Sequence, residues 1–164
     1  MRGRGIREIH IMNERSSDEH NVNDRNGEGR IIAACGNDCA VCPRYVKPPY
    51  EKTPEELRHT AELWCRIGYR DRVVGNREIS CEGCTPDKTC RYDIAGCCAD
   101  HEVPNCGKCP DYPCRLICEC FSVTATFMPA CRKICTDEEY AVMKKAFYEK
   151  KKNLDAEKKS DGRQ

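Results

Sequence analysis

Residues 81–114 read CEGCTPDKTCRYDIAGCCADHEVPNCGKCPDYPC, eight cysteines in a run otherwise rich in Gly, Pro, Asp and Asn. Such a stretch predicts turns and short hairpins, held by something other than apolar burial. Two Cys-x2-Cys units, Cys81/Cys84 and Cys106/Cys109, lie inside it, and a third, Cys39/Cys42, precedes it. This spacing lets both sulfurs reach one tetrahedral ion from a tight turn. An ion of that geometry needs four ligands, so two units make a complete shell of cysteines.

Working outward, Cys35-Gly-Asn-Asp-Cys39-Ala-Val-Cys42-Pro extends the third of these units to a Cys-x3-Cys-x2-Cys pattern. Three cysteines so spaced are the iron-sulfur pattern of radical S-adenosylmethionine enzymes. The barrel such enzymes need is roughly 200 residues or more, which leaves no room for it here. The bacterial ferredoxin run is also absent, so zinc is preferred, with two or more ions, and an iron-sulfur cluster is the alternative. Cys35, Cys39, Cys42, Cys81 and Cys84 are assigned to one site. Cys90, Cys97, Cys106, Cys109 and Cys114 are assigned to the other, with cross-bracing between the groups left open. Cys98 follows Cys97 directly, and neighbouring side chains diverge, so one of the two is read as a bystander. Cys65 is read as a small buried hydrophobe. Cys118, Cys120, Cys131 and Cys135 are open to three readings: a further site, core, or an interface. Among the histidines, His10 and His20 fall in the leader and His59 on a helix surface, so only His101, between clusters, is kept as a candidate ligand. Spacings differ from cluster to cluster, and no tandem repeat is read from them.

Composition points the same way. The chain is 39% hydrophobic, but that figure counts the 16 cysteines among its 164 residues. Without them the share falls to about 29%, low for a domain stabilised by burial alone. Residues 1–30 carry six Arg and six acidic side chains and no apolar run of signal-peptide length. The chain is therefore read as cytoplasmic, where thiols at this density mean metal rather than disulfides. No segment reaches the ~18 apolar residues of a membrane helix. Residues 31–143 hold 14 basic and 17 acidic groups, a net charge of −3. Two zinc-tetrathiolate sites, each about −2, would deepen this to about −7, which disfavours nucleic acid as partner and leaves a protein partner of unknown identity.

The organisation is read as a disordered leader over 1–30, a cysteine-rich metal-binding domain over 31–136, and a C-terminal helix with a basic tail over 137–164. Thr53-Pro54-Glu55-Glu56 predicts a helix over about 54–68, with Trp64 on its buried face. Thr136-Asp137-Glu138-Glu139 predicts another over about 137–155. The fold class is thus a small metal-stabilised α plus irregular domain, with short hairpins, zinc-knuckle-like turns and two helices.

No Gly-x-Ser-x-Gly, Walker loop or His-Glu-x-x-His is present, no catalytic residues are assigned, and enzyme activity is not expected. Cys35-Gly36, Cys39, Cys42-Pro43-Arg44-Tyr45, Thr60-Ala61-Glu62-Leu63-Trp64 and Cys81-Glu82-Gly83-Cys84 occur in this order. Ile94, Cys97, Cys106, Cys109 and Asp111-Tyr112-Pro113-Cys114-Arg115-Leu116 follow. Over residues 33–117 this series resembles the domain of unknown function 3795 family, cysteine-rich proteins of bacteria and archaea. The resemblance implies metal binding and no assigned activity. The chain departs from the family near Ile94, where Tyr92 stands in place of a cysteine and Cys90 lies two residues earlier. The reading is a zinc-stabilised structural or interaction module. The alternatives are an iron-sulfur accessory protein serving an enzyme partner and a nucleic-acid-binding zinc-knuckle protein.

Overall fold

Thr53 opens helix α1 (Pro54–Arg66) in a computed structural model that describes residues 29–86 and 91–160. The Thr53 hydroxyl accepts from the Glu56 amide, and the Glu56 carboxylate accepts from the Thr53 amide, a complete capping box. The helix buries Leu57, Thr60, Ala61, Leu63 and Trp64, and Gly68, at φ +82°, turns the chain away after it. Helices α2 (Asn76–Ile79), α3 (Ile94–Asp100), α4 (Arg115–Ile134), α5 (Asp137–Met143) and α6 (Lys150–Ser160) follow. A 3-10 turn (Cys106–Lys108) precedes α4, and a π-helical turn (Lys144–Tyr148) joins α5 to α6.

The domain is mostly helical, which corrects the expectation of two helices with short hairpins. Among the described residues there are no strands, only isolated bridges between Ile32 and Asp38 and between Tyr45 and Cys81. The largest departure is α4. Ile117, Cys120, Thr124, Phe127 and Cys131 recur at alternating spacings of three and four, the period of one helical face. Ile117, Cys120 and Cys131 are buried on it, and the Phe127 ring meets Tyr69 edge-on at 4.9 Å. Counting the cysteines as ligands removes them from that stripe. Val123, Thr124, Thr126 and Pro129 lower intrinsic helix propensity, so tertiary burial decides this element.

Three apolar clusters form. In the first, Trp64 stacks edge-on with Phe147 at 5.6 Å and with Tyr69 at 5.7 Å, beside Leu57, Ile79 and Met143. The second gathers Ala34, Ile94, Ile117 and Leu154 around the later cysteines. The third is small and holds Cys39, Cys42, Tyr45 and Ala146. Helix α6 touches both cysteine-rich turns. Asn153 Nδ2 donates to the Gly36 carbonyl at 2.9 Å, and the Lys108 ammonium donates to the Glu157 carbonyl at 2.7 Å. A Cβ at Gly107 would stand 2.5 Å from the Leu154 carbonyl oxygen, so that glycine is required for close approach.

At the start of α5, Glu139 completes a second capping box with Thr136 and also receives Arg66 Nη2 at 3.0 Å and His59 Nε2 at 3.1 Å. Burial alone would raise its pKa, but the Thr136 amide and the Arg66 guanidinium outweigh burial and hold it below the usual 4.5. Glu139→Ala is expected to cost about 1–2 kcal/mol at neutral pH, the loss of a cap and its ion pair. A carboxyl held low in the folded state contributes its full stability above the unfolded value near 4.5 and loses it as pH falls through the folded one. The gap between wild type and variant in urea melts should therefore narrow on acidification below that value. A gap of the same size at every pH would refute the charge contribution.

Candidate metal centre

The two cysteine turns hang from one short segment. The Ile31 carbonyl accepts from the Cys39 amide at 2.7 Å, and three residues on, the Ala34 carbonyl accepts from the Cys106 amide at 2.9 Å. Each turn then closes in the same way. Cys42 N donates to Cys39 O and Cys109 N to Cys106 O, both at 3.1 Å. Tyr45 N donates to Cys42 O at 3.1 Å and Tyr112 N to Cys109 O at 3.2 Å. The shared geometry comes from a shared sequence, Cys39-Ala-Val-Cys42-Pro-Arg-Tyr45 and Cys106-Gly-Lys-Cys109-Pro-Asp-Tyr112. The recurrence lies in the turn and not in the distances between clusters. Tyr45 and Tyr112, both buried, were missed as part of the centre, although the recurring Cys-x2-Cys-Pro-x-Tyr could have flagged them.

Cys81 reaches the first turn through backbone pairing. Its amide donates to the Arg44 carbonyl at 2.8 Å, and its carbonyl accepts from Val46 N at 3.0 Å. Gly83, at φ +108°, carries the chain on to Cys84 through a conformation that favours glycine. The Cys39 thiol is pushed up strongly by burial and then by Cys42, Cys84 and Cys81, so Cys39 lies within electrostatic reach of the other three. Cys35 packs elsewhere, against the second apolar cluster, and acts least of all on both Cys39 and Cys98.

The second group surrounds a cavity of about 20 Å³ lined by Cys97, Cys98, His101, Cys106, Cys109 and Cys114. Cys97 and Cys98 come from α3, Cys106 and Cys109 from the second turn, and Cys114 from the residue that precedes α4. Burial pushes the Cys106 thiol up strongly, followed by Cys98, whose sulfur lies 3.8 Å away. Both adjacent cysteines therefore line the cavity. Cys90 lies outside the described residues.

A family model described as Protein of unknown function (DUF3795) matches residues 31–119, more than half of the 164-residue chain. The chain belongs to the DUF3795 family. No curated protein and no solved structure matches it. The DUF3795 match takes in both cysteine groups and ends inside α4, so α5, the π-helical turn and α6 lie beyond it.

The four cysteines at the end of the DUF3795 match and beyond it do not converge. Cys118 is exposed, and Cys120 belongs to the second apolar cluster. Cys131 and Cys135 lie 3.3 Å apart, sulfur to sulfur, in the first cluster. Burial and then Cys131 push the Cys135 thiol up to about 12, the behaviour of a core pair. Cys65 is half-buried.

The donors of this DUF3795 domain suit a thiophilic ion. Buried thiols that raise one another's pKa form a potential polyanion, and a cation among them favours the thiolates. A zinc ion with sulfurs at about 2.3 Å spaces them by about 3.8 Å. Among the described residues no three cysteine sulfurs come within 4.8 Å of one another, so seating an ion would draw the turns inward. Among the described residues, the trio of donor atoms within that limit is His101, Cys109 and Asp111. No helix among the described residues is long and apolar enough to cross a membrane.

Proposed function

We propose that this DUF3795 protein is a zinc-stabilised structural and interaction module. Its first shell is Cys39, Cys42, Cys81 and Cys84, and its second is drawn from Cys97, Cys98, Cys106, Cys109 and Cys114. Cys35 and Cys90 are further candidates to complete either shell. The observation that carries the reading is the pair of like-built Cys-x2-Cys-Pro-x-Tyr turns, each facing further cysteines. Two all-sulfur shells in a chain without a catalytic motif support a structural ion over a reactive one.

A protein partner is favoured over nucleic acid by the acidic middle segment, and by the internal use of lysines in α6. Lys150 bonds Thr124, Lys151 pairs with Asp155, and Lys158 donates to the Tyr112 carbonyl. The second reading, an iron-sulfur accessory protein, rests on the Cys-x3-Cys-x2-Cys spacing of Cys35, Cys39 and Cys42. Elemental analysis of anaerobically purified chain separates them. At least two zinc ions per chain in a colourless preparation are expected. A brown preparation containing iron and sulfide would replace zinc by the cluster, and a preparation free of metal would refute both.

A further inference from the structure

His101 caps the C-terminus of α3, and its Nδ1 lies 2.9 Å from the Cys97 carbonyl oxygen. A carbonyl can only accept, so Nδ1 carries a proton and, in the neutral ring, Nε2 keeps its lone pair. That lone pair faces Asp111 Oδ2 at 3.8 Å, too far for a hydrogen bond. The Cys109 sulfur joins them, all three donor atoms lying within 4.8 Å of one another. Three electron-rich atoms converge there, and a proton on Nε2 would link only two of them.

We propose that His101 Nε2, Cys109 Sγ and the Asp111 carboxylate form a site for a borderline divalent transition ion, zinc or cobalt, at the solvent edge of the second cysteine group. One nitrogen, one sulfur and one oxygen suit such an ion better than magnesium or calcium, which prefer oxygen alone. A ligating imidazole commonly gives its other N–H to a backbone carbonyl, which fixes ring orientation, and Cys97 fills that role. The His101 and Asp111 side chains are 41% and 71% exposed, so the fourth position opens to solvent, unlike a closed structural shell. The cysteine count agrees. Five thiols line the adjoining cavity, one more than a tetrahedral ion uses, and assigning Cys109 to the rim leaves Cys97, Cys98, Cys106 and Cys114 for the inner ion.

This site rests on the reading of the second group as metal-binding, and the test separates the two. The full-length reduced chain is loaded anaerobically with cobalt(II), and bound metal is counted alongside the visible d–d spectrum. Wild type should bind a weakest equivalent that His101→Ala and Asp111→Asn each weaken at least tenfold, with the tighter equivalents and far-UV circular dichroism unchanged. His101→Cys should restore the equivalent with added sulfur-to-cobalt charge-transfer absorption. Cobalt bound by wild type and by both variants with equal count and affinity overturns the rim site and leaves the inner shells standing. A wild-type chain that binds no cobalt overturns both. Asp111 is largely exposed, so its variant reports even if His101→Ala fails to fold.

Discussion

Stripping metal from the reduced chain with a strong chelator at neutral pH should erase amide-exchange protection in both cysteine turns while leaving the Trp64 core helical. The turns at 39–45 and 106–112 are each closed by only two backbone hydrogen bonds and carry few apolar side chains of their own. A structural zinc ion contributes on the order of 10–16 kcal/mol in isolated finger peptides, as large as the whole stability of many domains. The first apolar cluster is differently made. Leu57, Leu63, Trp64, Ile67, Ile79 and Met143 bury carbon against carbon, and capping boxes at Thr53 and Thr136 start α1 and α5, which carry Leu57, Leu63, Trp64 and Met143. Protection in the turns should fall by at least about a hundredfold, equivalent to ~2.7 kcal/mol, while Trp64 fluorescence stays that of a buried indole. Full protection in both turns after elemental analysis shows the metal gone would mean that sulfur-bound ions do not hold this part of the chain.

The second large effect is expected at Gly36. Its φ of +90° lies where a side chain is strained, and a Cβ there would stand 2.5 Å from the Lys150 carbonyl oxygen and 2.8 Å from Leu154 Cγ. Gly36→Ala should therefore cost about 1–2 kcal/mol in backbone strain and about 1–3 kcal/mol in overpacking. Thermal unfolding should drop by several degrees, since each kcal/mol shifts Tm by about 2–4 °C at this size. Leu154→Ala removes a fully buried side chain from the same contact and should cost about 2–5 kcal/mol. In the double variant the lost leucine makes room for the added methyl, so the two costs should sum to more than the measured loss, although the Lys150 carbonyl remains in the way. A Gly36→Ala chain that melts with wild type would show that α6 does not rest on the first cysteine turn.

The second effect concerns a contact between the family-matched region and α6, which lies beyond it. Several pieces were legible in the linear chain. Thr53/Glu56 and Thr136/Glu139 announced their helices, and the Cys39/Cys42 and Cys106/Cys109 units announced their turns, because each is completed within four residues. The stripe of α4 was present but masked, since Cys120 and Cys131 serve as core in a chain where cysteine reads first as ligand. The Cys131/Cys135 pair shows the same ambiguity. Its spacing of four is equally that of two ligands or of two neighbours on one helical face.

By itself, the sequence determined that this chain makes capped helices and thiol-bearing turns, because those follow from chemistry within a few bonds of each residue. Only the tertiary structure decided which turns face which thiols. The Tyr45–Cys81 bridge gathers the first four cysteines, the Ala34–Cys106 hydrogen bond sets the second turn beside the first, and His101 meets Asp111 across the loop between them. Spacing limits how far a side chain can reach inside its own turn, but it says nothing about the partner presented by a segment tens of residues away. That choice belongs to burial and backbone pairing acting over the whole domain.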